Sequence, residues 1–306
     1  MIDLQRLVDT AGYPGTAAVL VGVQSVDPAF YGRGGLSADS CVYTASLSKQ
    51  ITAGCAALLV RQGRLDPDTA LARWMPELPA WARTVRLRQL IHHTSGLPEG
   101  VHLDDTLRNE PARTTDGVVR ALSRRVHLDR TPGTAHVYSN AGYVCLAVVV
   151  SRAAGRPLPD FAREQVFGPL GMTDTRFWTG PAPHPPGATP LDAHYPAPLS
   201  LGDGGVWSTA RDLLRWNGSL LRDELGISEL VHTDGRLEDG TPLDYAWGVG
   251  VRRHAGHRLY RHGGAWPGVT AQLVRIPDKA AGLVVLALDD DGERVARLTD
   301  AVIAEL

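Results

Sequence analysis

The sequence predicts an α/β (α+β) protein in which a β-sheet, built from both ends of the chain, is interrupted by a mainly helical stretch. Strand-like apolar runs lie near the start, at 15–23, and near the end, where 269–276 and 283–288 are predicted to pair as a hairpin. Between them, from about 64 to 200, helical patterns alternate with loops rich in proline and glycine. This order of elements predicts a sheet domain with a helical lobe inserted into it.

The first elements follow from local patterns. An amphipathic pattern over 1–9 predicts a helix, and the apolar run at 15–23 predicts a strand beside which 30–32 returns. Over 43–60, apolar residues recur at helical spacing, and Gly63 provides a stop. This third segment is therefore predicted to be a helix with one apolar face.

The middle and the end of the chain carry further helix and loop signals. Four helical patterns lie at 85–92, 116–122, 141–154 and 160–166. The segment 179–198, rich in proline and histidine, predicts a long irregular loop that can cover a site. Thr209 has the position of a helix N-cap, the hairpin turns through a loop beginning at Pro277, and an amphipathic helix over 293–306 closes the chain.

Length and composition limit the classes of protein to consider. The 306 residues are predicted to form a single domain, with a sheet lobe at approximately 1–63 and 200–306 and a helical lobe at approximately 64–199. A formal net charge of −2 gives no electrostatic reason to expect nucleic acid or an anionic membrane as a partner. The sequence leaves the oligomeric state open.

Cysteine usage and the N-terminal residues favour a cytoplasmic location. The three cysteines, Cys41, Cys55 and Cys145, are odd in number and lack metal or redox spacing, so disulfides are not expected. Residues 1–9 carry acidic side chains and lack the apolar centre of a signal peptide. No apolar run approaches the roughly 20 residues that a membrane span needs.

Ser46 and Lys49 form the first candidate site. They stand three residues apart on the predicted helix and therefore share one side of it. An amine whose pKa is lowered by burial can take the proton of a serine hydroxyl and make it a nucleophile. Lys49 and Lys279 are the only lysines among 31 basic residues, and arginine, used elsewhere, cannot release its proton. The alternative is a surface lysine beside a capping serine.

Two later segments contain groups that suit the same chemistry. Tyr138 and Asn140 are expected to point the same way from an extended segment, where tyrosine can act as a general base and asparagine can hold a carbonyl and the lysine. His262 is followed by Gly263 and Gly264, which let a substrate lie close to a strand edge. Taken separately, a buried tyrosine before a helix and an ordinary turn are the alternatives.

In this order the three segments, Ser46–Lys49, Tyr138–Asn140 and His262–Gly264, resemble the serine β-lactamase and penicillin-binding protein superfamily. The similarity is greatest to its class C-like branch, with D-alanyl-D-alanine carboxypeptidases, D-aminopeptidases and β-lactamase-like esterases. It runs nearly end to end, because linking sequences also match, at 90–98, 169–172 and 204–213. The implied fold is β-lactamase/transpeptidase-like: an antiparallel sheet flanked by helices, built from both chain ends, with a mainly helical second lobe and the active site between them.

The resemblance also implies an activity and roles for these residues. It implies a serine hydrolase that cleaves an ester or amide through an acyl-enzyme on Ser46, with Lys49 and Tyr138 as the proton-transfer machinery. Asn140 positions the substrate and the lysine. Backbone N–H groups of Ser46 and Ala265 form the oxyanion hole. The expected partner is a small-molecule ester, amide or peptide substrate.

The third motif departs from the usual family pattern. His262 stands where lysine is usual, and Gly263 stands where threonine is frequent. A neutral or partly charged histidine holds a substrate carboxylate less firmly than lysine does, so β-lactams are expected to be poor substrates and small activated esters good ones. Trp207 and Trp266 are candidates for an apolar acyl pocket, with packing at the lobe interface as the equal alternative.

Other functions are less well supported by the sequence. An acyltransferase, which passes the acyl group from Ser46 to an alcohol or amine, remains an alternative, as does a true β-lactamase. A non-catalytic binding protein is disfavoured, because the candidate catalytic residues are intact. No cofactor and no metal are expected, since the adjacent His92 and His93 cannot easily converge on one ion. The sequence also lacks a G-x-S-x-G elbow and a phosphate-binding loop.

Overall fold

The structure is a computed structural model that describes residues 2–25, 27–99 and 113–306. Its strands are β1 (Val19–Gln24), β2 (Pro28–Arg33), β3 (Val42–Tyr43), β4 (Arg176–Phe177), β5 (Val206–Ser208), β6 (Gly250–His254), β7 (His257–Trp266), β8 (Val269–Ile276) and β9 (Ala281–Ala287). Six of them form one antiparallel sheet in the order β2-β1-β9-β8-β7-β6, and the short strands pair in the order β3-β5-β4. The large sheet therefore joins the two ends of the chain.

Helices and short turns supply the rest of the described structure. The helices are α1 (Leu4–Thr10), α2 (Ser48–Arg61), α3 (Leu71–Trp74), α4 (Leu87–Ile91), α5 (Thr115–Ser123), α6 (Asn140–Ala154), α7 (Leu158–Ala162), α8 (Ala210–Leu221), α9 (Ser228–Val231) and α10 (Gly292–Glu305). Turns of 3-10 helix lie at Ala45–Leu47, Ala80–Arg83 and Pro277–Lys279, and a π-helical turn at Arg163–Phe167 follows α7.

Both faces of the large sheet are covered by helices. Along β1, Val19, Val21 and Val23 belong to an apolar cluster with α1 and α10, whereas Leu20 belongs to the larger cluster on the other face, against which α8 packs. This alternation follows from the two-residue period of a strand. The predicted fold class, an antiparallel sheet flanked by helices and built from both chain ends, is confirmed.

Helices α2 and α6 pack directly against each other and carry the first two motifs at their N-terminal ends. Every residue of α2 from Ser48 to Leu59 is buried, polar ones such as Lys49 and Gln50 included, so the helix lies inside the protein and does not have the single buried face that the sequence predicts. Gly54 permits close packing, because a Cβ atom there would lie 2.6 Å from the Trp216 ring. The packing of these two helices fixes the distance between the motifs.

Two local predictions at these helix starts need correction. The helix predicted over 43–60 begins only at Ser48, because Tyr43 lies in β3 and Ala45 has a φ of 46°, which an α-helix cannot include. Asn140 is the first residue of α6 and not part of an extended segment, with Ser139 as its N-cap. Local spacing alone does not reveal such breaks.

Other elements agree closely with the sequence. The helix predicted over 141–154 ends at Ala154, and Gly155 adopts the left-handed conformation of a helix cap. The hairpin turns through Pro277–Lys279, and its second strand begins two residues before the predicted start. No helix in the described parts of the chain is long and apolar enough to cross a membrane.

Candidate active site

Ser46 lies on a tight turn between β3 and α2 and is half-buried. Ala45, just before it, has a φ of 46°, a conformation that is strained for a residue with a side chain. The buried Ser48 holds this turn, since its hydroxyl donates to the Ala45 carbonyl at 2.6 Å and accepts from the Val206 N–H at 3.1 Å. Ser48 therefore has a structural role, whereas Ser46 lines a cavity.

Strand β7 runs along this turn, and Gly264 makes the approach possible. A Cβ atom at Gly264 would lie 2.3 Å from the Thr44 carbonyl oxygen, so no larger residue fits. The glycine therefore accommodates the protein's own turn, whereas the sequence predicted that it would make room for a substrate. At Gly263 a Cβ atom would instead meet the side chain of Gln272, which is flexible at its end.

One edge of β7 is open at the third motif. Pairing between β6 and β7 ends at Gly250 and Arg261, and in the described parts of the chain residues 262–266 pair with β8 alone, on the other side. Ala265 lies on this segment and lines the same cavity as Ser46. The strand edge beside Ser46 is therefore available to a bound molecule.

Lys49 is fully buried, and its ammonium nitrogen has three hydrogen-bond partners. Nζ lies 3.1 Å from Ser46 Oγ, 2.8 Å from Asn140 Oδ1 and 2.8 Å from the backbone carbonyl oxygen of Asp203. In the described parts of the chain none of its hydrogen-bond partners is a carboxylate. Such a site holds a lysine without a counter-charge, and burying a charged amine in this way costs free energy.

The chemistry of the three partners determines what Lys49 can do. An amide oxygen and a backbone carbonyl can only accept, so they receive two N–H groups of the amine. The hydroxyl of Ser46 can either accept a third N–H from an ammonium or donate its own proton to the lone pair of a neutral amine. The arrangement therefore suits both protonation states, and the neutral state directs a lone pair at Ser46.

Tyr138 approaches Lys49 with the face of its ring. Nζ lies 4.9 Å from the ring centroid, within the range of a cation–π contact. The His93 ring lies 4.3 Å from the Tyr138 ring on the inner side, while Tyr138 itself is 36% exposed. The tyrosine therefore covers the buried lysine at the edge of the cleft.

His262 is buried beside this cluster. Its Nδ1 lies 2.6 Å from the Gly263 carbonyl oxygen, and its Nε2 lies 3.2 Å from the hydroxyl of Tyr245. Burial, and in second place the charge of Lys49, lower the pKa of His262 to about 4. The imidazole is therefore neutral near pH 7 and presents no positive charge to a substrate carboxylate.

A cavity of about 280 Å³ opens at Ser46. Its walls come from all three motif-bearing segments and from the chain around 200, including Tyr43, Asn140, Asp203, Gly204, Ala265 and Trp266. A neighbouring apolar cavity of about 370 Å³ shares Arg113, Pro198 and Trp266 with it and is otherwise lined mainly by prolines and alanines of the 179–198 loop. Trp266 Nε1 donates to the Tyr195 carbonyl at 3.0 Å and so links β7 to that loop.

The two tryptophans singled out in the sequence occupy different environments. Trp266 lines both cavities. Trp207 is 1% exposed and packs against the Tyr43 ring at 5.4 Å, within a small apolar cluster that includes Cys41. Of the two equal alternatives for these residues, Trp266 has the place of a pocket residue and Trp207 that of a packing residue.

Several residues at the site have no signal in the sequence. The Asp203 carbonyl reaches Lys49 from a glycine-rich turn in which Gly202 and Gly205 have positive φ angles, so the glycine run is the one available hint. His93 and Tyr245 meet through side chains 152 positions apart. Sequence spacing cannot reveal such a contact.

His92 and His93 diverge from each other. His92 meets the Trp247 ring edge-on, whereas the His93 ring lies against Tyr138. Within residues 2–25, 27–99 and 113–306, no group of three or more histidine, cysteine, aspartate or glutamate side chains is arranged to hold a metal ion. The pair therefore belongs to the packing around Lys49 and Trp247.

Relatives of known sequence match most of the chain. It is 30% identical over 279 residues to a penicillin-binding protein of Bacillus subtilis (strain 168), covering 82% of this chain and 61% of the relative. It is also 30% identical over 264 residues to a D-aminopeptidase of Cereibacter sphaeroides (strain ATCC 17029 / ATH 2.4.9), covering 79% and 49%. The chain thus spans about half to three fifths of the length of these curated relatives.

Solved structures share the fold at lower identity. The D-amino acid amidase from Ochrobactrum anthropi SV3 superposes with a TM-score of 0.82 at 23% identity, covering 99% of this chain and 100% of that one. A D-stereospecific amidohydrolase from Streptomyces sp. gives a TM-score of 0.80 at 20% identity, covering 96% of both chains. The family model described as Beta-lactamase matches residues 4–306. The protein therefore belongs to the beta-lactamase family, as the order of its three motifs predicts.

Proposed function

We propose that the protein is a serine hydrolase that cleaves an ester or amide through an acyl-enzyme on Ser46. The observation that carries this proposal is the environment of Lys49, a buried amine with two obligate acceptors and one hydroxyl, that of Ser46, around it. A neutral amine in this position has its lone pair free for the serine proton. A purely structural cation has no need of a hydroxyl that borders a cavity.

The proposed reaction has two steps and uses groups from all three motif segments. Lys49, with Tyr138, accepts the Ser46 proton while Oγ forms a bond to the substrate carbonyl carbon, and the oxygen charge is taken by the N–H groups of Ser46 and Ala265. The bond to the leaving group then breaks, and the stored proton passes to that group. Water attacks the acyl-enzyme in the second step, with the same residues moving its proton, and releases the acid and free Ser46.

Asn140 and the third motif have supporting roles in this proposal. Asn140 holds Lys49 through its side-chain oxygen and leaves its amide N–H₂ for a substrate carbonyl. Gly264 lets β7 lie against the Ser46 turn, and the open edge at Ala265 receives the substrate backbone or acyl group. His262 and Gly263 shape this edge and supply no charge.

The substrates are proposed to be small esters or amides with an apolar acyl group. The apolar cavity beside Trp266 borders the one at Ser46, since the two share three lining residues. The neutral His262 offers no anchor for the carboxylate of a β-lactam. The relative named D-aminopeptidase supports small amides and peptides as further candidates.

A labelling experiment tests the nucleophile. A fluorophosphonate should add its mass to Ser46, and Ser46→Ala should lose both the label and the activity, whereas Ser123→Ala, a serine on α5, should keep both. Label on Ser48 or Ser139, or full turnover by Ser46→Ala, would contradict the proposed mechanism.

A substrate panel tests the specificity. We expect the kcat/KM for small activated esters to exceed that for D-amino-acid amides and, by a wider margin, that for penicillins and cephalosporins. The ratio kcat/KM is the right measure, because a slow acyl-enzyme lowers KM by itself. A β-lactam as the best substrate would refute the ester preference, and product transfer to an added alcohol in place of hydrolysis would favour the acyltransferase.

Organisation and location are part of the same proposal. We propose a single catalytic domain in which a sheet lobe, approximately 1–63 and 200–306, and a helical lobe, approximately 64–199, enclose the cleft. Limited proteolysis that leaves two stable fragments instead of one would contradict the proposal of a single domain. The cytoplasmic location stays a prediction, which cell fractionation checks.

A further inference from the structure

Three buried side chains form a line of hydrogen bonds behind the proposed catalytic residues. His93 Nε2 lies 3.1 Å from the hydroxyl of Tyr245, and that hydroxyl lies 3.2 Å from His262 Nε2. All three residues are less than 9% exposed. The line is continued at both ends by backbone groups, the N–H of Ser139 and the carbonyl of Gly263.

The end at Ser139 determines the protonation of His93. The backbone N–H of Ser139 can only donate, and it lies 3.1 Å from His93 Nδ1, so that nitrogen carries a lone pair. Burial, followed by the charge of Lys49, lowers the pKa of His93 well below its ordinary value and keeps the ring neutral. A neutral imidazole has one proton, which must then reside on Nε2 and point at Tyr245.

The end at Gly263 determines the protonation of His262. Its carbonyl oxygen can only accept, and His262 Nδ1 lies 2.6 Å from it, so that nitrogen carries the proton. Nε2 of the neutral ring then has a lone pair, which accepts the single hydroxyl proton of Tyr245. Tyr245 in turn accepts from His93, so every donor in the line meets one acceptor and all donors point in the same direction.

We propose that His93 and Tyr245 are positioning residues of this active site, which hold His262 as its neutral Nδ1–H tautomer and tie the second motif to the third across the cleft. This inference rests on the proposed hydrolase function for its catalytic consequence, although the tautomers themselves do not depend on it. Ser139 stands between Tyr138 and Asn140, and Gly263 lies on the strand edge beside Ser46. The line of hydrogen bonds therefore sets the distance between the Tyr138–Asn140 segment and the strand edge at Gly263.

The proposal has a consequence for the substrate. Both ring nitrogens of His262 are used within the protein, one by Gly263 and one by Tyr245, so the residue has no N–H to offer a ligand. The histidine of the third motif thus acts on the reaction by fixing the strand and not by holding a substrate group. The His93 ring also packs against the Tyr138 ring, so a substitution of His93 would disturb this contact as well.

Nitrogen NMR of the wild-type protein with labelled histidine tests the tautomers directly. At pH 7 we expect His262 as the Nδ1–H form, which is the less common form of free histidine, and His93 as the Nε2–H form. The signals are assigned by their loss in His262→Asn and His93→Asn. An Nε2–H tautomer or an imidazolium at His262 would overturn the proposal, even if Ser46 is labelled as proposed above.

The variant Tyr245→Phe tests the catalytic consequence. It keeps the ring and removes the hydroxyl that joins the two histidines, so kcat should fall by about tenfold to 10²-fold with little change in KM, and the His262 nitrogen signals should shift. Tyr260→Phe is the matched control, because its hydroxyl donates to the His232 carbonyl, at 3.3 Å, and not to a histidine ring of the line, so both values should be retained.

The outcomes separate this proposal from the hydrolase function. If Tyr245→Phe resembles Tyr260→Phe in kcat while the tautomers are as expected, the positioning role is refuted and the hydrolase function stands. If Tyr245→Phe does not fold, the tautomers of the wild-type protein still decide the question. If Ser46 takes no label but the tautomers are as expected, the hydrolase function alone is lost.

Discussion

Two cations, Lys49 and Arg275, are buried among the residues that the structure describes, and the comparison between them separates chemistry from structure. Lys49 is 0% exposed and Arg275 is 2% exposed. Each donates to an asparagine oxygen, Lys49 to Asn140 at 2.8 Å and Arg275 to Asn217 at 2.9 Å. Among the described residues, neither has a carboxylate within salt-bridge distance. By burial and charge alone, the two sites are alike.

The difference lies in the remaining partners and in the cations themselves. Arg275 donates to His232 Nε2 at 2.9 Å. This nitrogen accepts with its lone pair and therefore has no proton to give to Arg275. Lys49 meets Ser46 Oγ, which has a proton of its own and borders a cavity. Although burial lowers the pKa of Arg275 to about 10, a guanidinium remains charged at neutral pH, whereas an amine can cycle a proton.

This difference shows which features identify a reactive site. A buried charge without a counter-ion is not sufficient, since Arg275 has that too. The reactive site also needs a cation that can lose its proton, a partner that can give one up, and space for a substrate beside them. The following predictions exchange or remove these features one at a time.

The largest effect is expected from Lys49→Arg. The charge is retained but the proton can no longer be cycled, so kcat/KM should fall by about 10³-fold or more, close to the loss in Lys49→Ala. Steady-state kinetics with an activated ester measure this loss, and circular dichroism checks that the variant is folded. A large share of activity in Lys49→Arg would mean that Lys49 acts only through its charge and that Tyr138 is the sole base.

A smaller effect is expected from the asparagines. Asn140→Ala removes one acceptor of Lys49 and should lower kcat/KM by about tenfold to 10²-fold. Asn217→Ala is its matched control: it takes an acceptor from Arg275 and a donor from the Val274 carbonyl, so it should lower stability by about 1–3 kcal/mol and leave kcat/KM within about twofold. Equal losses of activity in the two variants would remove the distinction between the sites.

The same two sites show which features could be predicted from the sequence and which could not. Lys49 was predictable, because it stands three residues from Ser46 in a chain that otherwise uses arginine almost throughout. The carbonyl of Asp203 was not, since a backbone oxygen has no residue type of its own. Arg275 has no sequence signal at all, because its surroundings come from β7, α8 and the residue after α9, distant in the chain.

The fold shows the same limit at a smaller scale. The helix over 141–154 was predictable from its apolar pattern and from Gly155, which are local. The start of α2 was not, because the positive φ of Ala45 accompanies a close approach of Gly264, more than 200 positions away. Strand β3 has two residues, too few for a strand pattern. Tertiary contacts decide these details, and local propensity cannot anticipate them.

The reciprocal exchange, Arg275→Lys, should affect stability and not catalysis. Lysine cannot reach both His232 and Asn217 in the planar geometry of a guanidinium, so at least one hydrogen bond is lost, at about 1–3 kcal/mol of unfolding free energy. The kcat/KM should stay within about twofold of the wild type, because Arg275 lines neither the cavity at Ser46 nor the one beside Trp266. Urea unfolding measures the first quantity. A loss of activity in a fully folded variant would contradict the assignment of Arg275 to structure.

The smallest effect concerns the histidine beside Arg275. Burial, and after it the charge of Arg275, lower the pKa of His232 from its ordinary 6.5 to about 3. The unfolded chain therefore binds one proton more than the folded protein between these two values, so stability rises with pH in this window and is lost as the pH falls from 6.5. The contribution of this one residue is at most about 1.4 kcal/mol for each pH unit.

His232→Gln isolates this contribution. Glutamine can still accept from Arg275 but does not titrate, so the loss of unfolding free energy between pH 6.5 and pH 4.5 should be smaller than in the wild type by up to about 1.4 kcal/mol per unit. If His232→Gln loses stability as steeply as the wild type, protonation of His232 is not what lowers the free energy of unfolding in acid. Beside Lys49 too, burial first and the cation second lower the pKa values of the neighbouring histidines, His93 and His262.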